Sequence, residues 1–109
     1  MEKIFNKLVR DRIPEKIENN GEVAVTRILS NEEYREELYK KLIEEANEVI
    51  NADDKESIIE ELADVYEVLK SIAELESTTI EEVIDEAKQK REKRGGFSKR
   101  IFLEKTQDR

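Results

Sequence analysis

Residues 31–76 read NEEYREELYKKLIEEANEVINADDKESIIEELADVYEVLKSIAELE, and this stretch decides the fold. Ser30-Asn31-Glu32-Glu33 is a capping box, with Ser30 as N-cap and Glu33 three residues on. It opens a helix predicted to run to about Asn51. Asp53-Asp54-Lys55-Glu56 repeats the start signal and opens a second long helix, to about Glu76. At 100° per residue, Tyr34, Leu38, Leu42 and Val49 fall on one face of the first helix, and Glu45 falls among them. In the second helix Ile58, Leu62, Val65, Leu69 and Ile72 form the stripe. Glu61 is in line with Ile58 and Val65, and Asp64 with Val68 and Leu75.

Each helix therefore carries two acids three residues apart, Glu45-x-x-Glu48 and Glu61-x-x-Asp64, entering its buried side. Residues three apart on a helix are neighbours, so each pair can aim at one spot. The separation of Glu48 from Glu61 suits a tight bend that sets the pairs opposite each other in an antiparallel hairpin. Four carboxylates converging in a partly buried place cannot all stay ionised without compensation. Hard divalent cations, Mg²⁺ or Mn²⁺, would supply it through oxygen ligands. The competing reading is that these are solvated edges of glutamate-rich helices. It is weakened by Glu45 and Glu61, which lie in line with apolar stripes.

Outward from the hairpin, Asp11-Arg12-Ile13-Pro14 opens a short helix that stops near Asn19-Asn20-Gly21, with proline expected at its first position. Thr79-Ile80-Glu81-Glu82 starts a fourth helix, ending at about Arg94 before Gly95-Gly96. Glu22–Leu29 and Phe97–Leu103 are extended in character, and a short β pairing between residues 23–28 and 99–103 is predicted as a minor feature. The expected fold class is thus all-α, a helical bundle within one domain spanning 1–109.

Composition narrows the chemistry. The 109 residues contain no Cys, His or Trp. Thiolate nucleophiles, imidazole bases and His- or Cys-ligated metals are excluded. Charged residues make up 44% of the chain, with 28 acidic against 20 basic and a net charge of −8. The charges are segregated: residues 30–87 carry 20 acids and 5 bases, whereas 88–105 carry 8 bases and 2 acids. An acidic centre suits divalent cations and basic ends suit phosphates. The negative balance and sparse aromatics argue against nucleic acid as a partner. No run approaches the roughly 18 apolar residues of a membrane span, and the N-terminus lacks a signal peptide's apolar stretch. A cytoplasmic protein without membrane contact is expected. Apolar residues on the flanks of both long helices, Tyr39, Ile43, Ile50, Tyr66 and Ala73, predict a homodimer or higher even oligomer.

Glu44-Glu45-Ala46-Asn47-Glu48 followed by Glu60-Glu61-Leu62-Ala63-Asp64 on adjacent helices resembles the MazG-like all-α nucleoside triphosphate pyrophosphohydrolases. That superfamily includes phosphoribosyl-ATP pyrophosphohydrolase and the dimeric dUTPases. Asn6-Lys7-Leu8-Val9-Arg10-Asp11-Arg12-Ile13-Pro14 and Lys93-Arg94-Gly95-Gly96-Phe97 resemble the termini of small stand-alone members. The resemblance implies a helical bundle tightened by dimerisation and Mg²⁺ held by Glu45, Glu48, Glu61 and Asp64. It implies hydrolysis of an α–β phosphoanhydride to a nucleoside monophosphate and pyrophosphate. Glu44 or Glu48 would orient the water or take its proton. Arg10 either reaches phosphate or pairs with a helix acid and holds the N-terminal arm down. Arg94 either meets phosphate beside the Gly-Gly turn or complements a helix C-terminus. Asn47 and Tyr66 are candidates for the base or sugar, against bland readings as a solvated residue and a core residue. Two rivals stay open on sequence: a non-enzymatic helical interaction module, and an enzyme of this fold acting on a non-nucleotide pyrophosphate.

Overall fold

Three side-chain caps set where the long helices begin. In a computed structural model describing residues 1–109, Ser30 Oγ accepts from the Glu33 amide at 3.2 Å, and the Glu33 carboxylate accepts from the Ser30 amide at 3.2 Å. Asp54 Oδ1 accepts from the Ser57 amide at 2.8 Å, and Thr79 Oγ1 from the Glu82 amide at 3.1 Å. Each cap satisfies a backbone donor that the first turn leaves without a partner. The chain folds as α1 (Ile13–Asn19), α2 (Asn31–Asn51), α3 (Lys55–Leu75) and α4 (Ile80–Arg94), with no strand. The fold is all-α, as the periodicity predicts.

Only residues 52–54 link α2 to α3, so the two helices return antiparallel. Arg35 Nε donates to Glu76 Oε1 at 3.1 Å, tying the start of α2 to the residue after α3. The buried residues are Leu38 on α2, Val68 and Ala73 on α3, and Ile80 at the start of α4. They cluster at the end of the hairpin away from the 52–54 bend. The turn into α4 folds back on α3 through the Thr78 amide, which donates to the Ala73 carbonyl at 2.9 Å.

Three expectations need correction. The predicted pairing of 23–28 with 99–103 does not form. Val23, Val25, Ile28, Ile101, Phe102 and Leu103 are all exposed. A two-stranded ribbon is marginal without a hydrophobic face to lie on, and none is offered here. The face of α3 turned to α2 is rotated from the predicted stripe. Val68 and Ala73 are buried, whereas Ile58, Leu62 and Leu69 are exposed. The helix is apolar on two flanks and α2 covers one of them. Finally, Pro14 occupies the second position of α1, behind Ile13, where its missing N–H still costs no intrahelical bond.

The molecule measures 67 × 35 × 24 Å, with a radius of gyration of 18.9 Å. A compact domain of this length would have about 13 Å. No helix is long and apolar enough to cross a membrane.

Candidate active site

Between the buried cluster and the 52–54 bend, the facing sides of α2 and α3 turn acidic. Glu45 lies seven residues beyond Leu38, two turns along the same face of α2, and its side chain is 14% exposed. Glu61 and Asp64 lie on the α3 face opposite, seven and four residues before Val68 respectively. The hairpin sets these three carboxylates against one another, with an oxygen of each within 4.8 Å of the others. All three residues are half-buried.

Burial and crowding together raise two of them, Glu45 and Glu61. Burial pushes the Glu45 carboxyl above its ordinary value, with repulsion from Asp64, Glu44 and Glu61 adding to it and Lys41 pulling back. Glu61 is raised by loss of water first, then by Asp64, Glu48 and Glu60. Two internal cations offset part of the charge. Arg10 Nη2 donates to Asp64 Oδ1 at 2.6 Å, across 54 residues of sequence. Lys41 Nζ stands 3.4 Å from Glu44 Oε1 and 3.8 Å from Glu45 Oε1, its side chain 19% exposed. Glu61 has neither.

The donor set suits a hard cation. Three carboxylate oxygens are oxygen ligands of the type Mg²⁺ and Mn²⁺ take, and opposite ligands of Mg²⁺ stand about 4.2 Å apart. Adjacent ligands stand closer, about 3 Å apart, so oxygens within 4.8 Å of one another would draw in around a common ion. A divalent ion would also cancel the repulsion that raises Glu45 and Glu61.

Glu48 is exposed and outside the group of three, although its charge reaches Glu61. Glu44 is exposed at the rim, paired with Lys41. Asn47 and Tyr66 are exposed, on α2 and α3 respectively. Arg10 pairs with a helix acid, one of its two anticipated roles. Arg94 ends α4 and lines a concavity of about 370 Å³ formed by residues 94–101 alone, apart from the acids. Lys41 was missed by sequence reasoning. Its signal was spacing: it precedes Glu44 by three residues and Glu45 by four, which puts its ammonium on both.

The sequence profile of the MazG nucleotide pyrophosphohydrolase domain matches residues 33–96. The chain belongs to this family. The matched segment holds nearly all of α2, the whole of α3 and α4, and the three converging acids; Arg10 lies outside it. An uncharacterized protein of Mycolicibacterium smegmatis is 47% identical over 53 residues, covering 49% of this chain and 54% of that protein. The chain thus spans about half the length of the curated relative it matches. No solved structure matches it.

Proposed function

We propose that this MazG-family chain is a Mg²⁺-dependent nucleoside triphosphate pyrophosphohydrolase, cleaving the α–β phosphoanhydride to a nucleoside monophosphate and pyrophosphate. The observation that carries the reading is the convergence of Glu45, Glu61 and Asp64 within 4.8 Å, inside the segment the family profile matches. These three residues, with Glu48 one turn beyond Glu45, would hold Mg²⁺, with Mn²⁺ as a substitute. The bound ion would neutralise phosphate charge and make water acidic enough to react near neutral pH.

The chain's own side chains do the rest. Glu44 or Glu48, both exposed beside the half-buried Glu45, would orient the attacking water or take its proton. Arg10, beside Asp64, would supply a cationic donor for phosphate oxygens, and Arg94, apart from the acids within one chain, a second. Tyr66 and Asn47, exposed on the two acid-bearing helices, offer a ring face and an amide to the base or sugar. The working form is a homodimer or higher even oligomer, because both long helices leave apolar flanks uncovered.

A panel of nucleoside triphosphates and diphosphates with Mg²⁺, reading pyrophosphate and orthophosphate separately, tests this. Triphosphates should yield pyrophosphate with little orthophosphate. Predominant orthophosphate from a clean preparation would contradict attack at the α phosphorus.

A further inference from the structure

Asp64 is already occupied. Its Oδ1 accepts a short, charge-assisted bond from Arg10 Nη2 at 2.6 Å. The contact is between residues 54 apart, so it exists because the N-terminal arm lies across the acid-bearing hairpin. Leu8 and Val9 before Arg10, and Ile13 after it, are half-buried. The Ile13 amide donates to the Arg10 carbonyl at 3.0 Å and fixes the backbone there. The guanidinium is open to solvent: the Arg10 side chain is 56% exposed, against 38% for Asp64.

The two internal cations differ in kind. Lys41 belongs to the same helix as Glu45 and stays within reach of it whatever the arm does. Arg10 comes from outside the hairpin. A guanidinium has no acceptor capacity and cannot be deprotonated at any working pH. It can therefore leave Asp64 only by being displaced.

We propose that Arg10 is a tethered counter-ion that holds Asp64 until a divalent cation takes its place, and that the displaced guanidinium is the one that then meets the substrate's phosphate. Arg10 is thus a positioning residue coupling cation loading to phosphate capture. This rests on the metal reading of Glu45, Glu61 and Asp64 and adds the order of events to it. One guanidinium cannot hold Asp64 and serve a phosphate with the same donors. The two alternatives raised by the sequence become successive states of one side chain.

The arm provides an internal control. Arg12 carries the same charge two residues away, but its Nε donates to Glu15 at 3.4 Å and its side chain is 84% exposed. Removing it changes the net charge equally and leaves Asp64 alone. The test titrates Mg²⁺ alone, by calorimetry, into the full-length wild type, Arg10→Gln and Arg12→Gln. Arg10→Gln should bind Mg²⁺ tighter by up to about fivefold, the ceiling that about 1 kcal/mol for a partly exposed ion pair allows. Arg12→Gln should match the wild type.

A second readout uses the wild type only: phenylglyoxal labelling of arginines, resolved by peptide mass spectrometry. Mg²⁺ should speed labelling of Arg10 severalfold and leave Arg12 unchanged. Unchanged or weaker Mg²⁺ binding by Arg10→Gln, equal tightening by Arg12→Gln, or Arg10 labelling indifferent to Mg²⁺ each overturns the displacement while leaving the metal site standing. A wild type that binds no Mg²⁺ overturns both.

Discussion

Three carboxylates held in one half-buried place without full compensation store a cost that a cation would remove. Burial and mutual repulsion raise both Glu45 and Glu61 above their ordinary values. Raised carboxyl values mean that the stability these groups contribute is fully present below the unfolded value and is lost as pH rises through the folded one. In EDTA, the melting temperature should therefore climb as pH is lowered from 7 toward about 4.5; Glu45→Gln should flatten that climb. At neutral pH, Glu45→Gln and Glu61→Gln should lose turnover by at least about 100-fold, since each removes a ligand of the proposed metal site. Each variant should melt in EDTA no lower than the wild type, because each also removes a repelled, partly dehydrated anion. Mg²⁺ at 100 times its dissociation constant should stabilise the wild type by about 2.7 kcal/mol and the variants by much less. A wild-type melt indifferent to Mg²⁺, or a Glu61→Gln enzyme at full activity, would make these acids structural. The site was legible where it depended on spacing along one helix: Glu45, Glu61 and Asp64 are marked by their positions against the apolar stripes. It was not legible where it depended on a chance of docking. Which of its two partners Arg10 takes is set by how the N-terminal arm lies on α3, and no local pattern encodes that.

At the scale of elements, the same locality explains what could be foreseen. The caps Ser30, Asp54 and Thr79 act within three residues of themselves, so the helix starts follow from the sequence alone. Their partners are less local. Glu33 completes the box at Ser30 and also takes two bonds from Arg27, at 3.3 and 3.0 Å. At the start of α4, the Glu82 carboxylate instead accepts from Thr78 Oγ1 at 2.7 Å. The Arg27 guanidinium first, then the Ser30 amide, hold Glu33 down at about 2. A lowered carboxyl gives stability that is present above its unfolded value and lost as pH falls through the folded one. Acid unfolding should therefore steepen between about pH 4.5 and pH 2, and Glu33→Gln should remove that component. Ser30→Ala should cost about 1 kcal/mol at neutral pH, read by chemical denaturation. An unchanged midpoint would mean that docking on α3 alone fixes where α2 begins. The strand expectation failed because β-branched composition describes a residue's preference for a pleated surface, and residues 22–29 and 97–103 have no such surface to join. The side of α3 that meets α2 was misjudged because both flanks are apolar, and hydrophobic period alone does not say which flank the neighbour takes.

Only four residues of the whole molecule are buried, a thin core for a chain of this length. Part of the apolar surface left outside lies on the acid-bearing helices and beyond α4. Ile43 and Ile50 on α2, with Ile58, Ile59, Leu62 and Tyr66 on α3, are exposed on the two helices that carry the acids. Beyond α4, Phe97, Ile101, Phe102 and Leu103 are exposed in a segment rich in basic residues, Phe97 at 98%. A net charge of +6 over residues 88–105 faces one of −15 over residues 30–87, so a second copy offers both an apolar flank and the opposite charge. The elongated shape, 67 Å in its longest dimension, leaves these flanks uncovered within one chain. Sedimentation velocity at micromolar concentration should find a homodimer or higher even oligomer, with a melting temperature that rises with protein concentration. Leu62→Glu, which puts a charge on the exposed flank of α3 beside Glu61, should shift the population to monomer and lower the melt. A wild type that sediments as a stable monomer, or a Leu62→Glu variant that assembles normally, would mean that these flanks stay wet. The thin buried cluster around Leu38, Val68, Ala73 and Ile80 would then have to carry the fold alone.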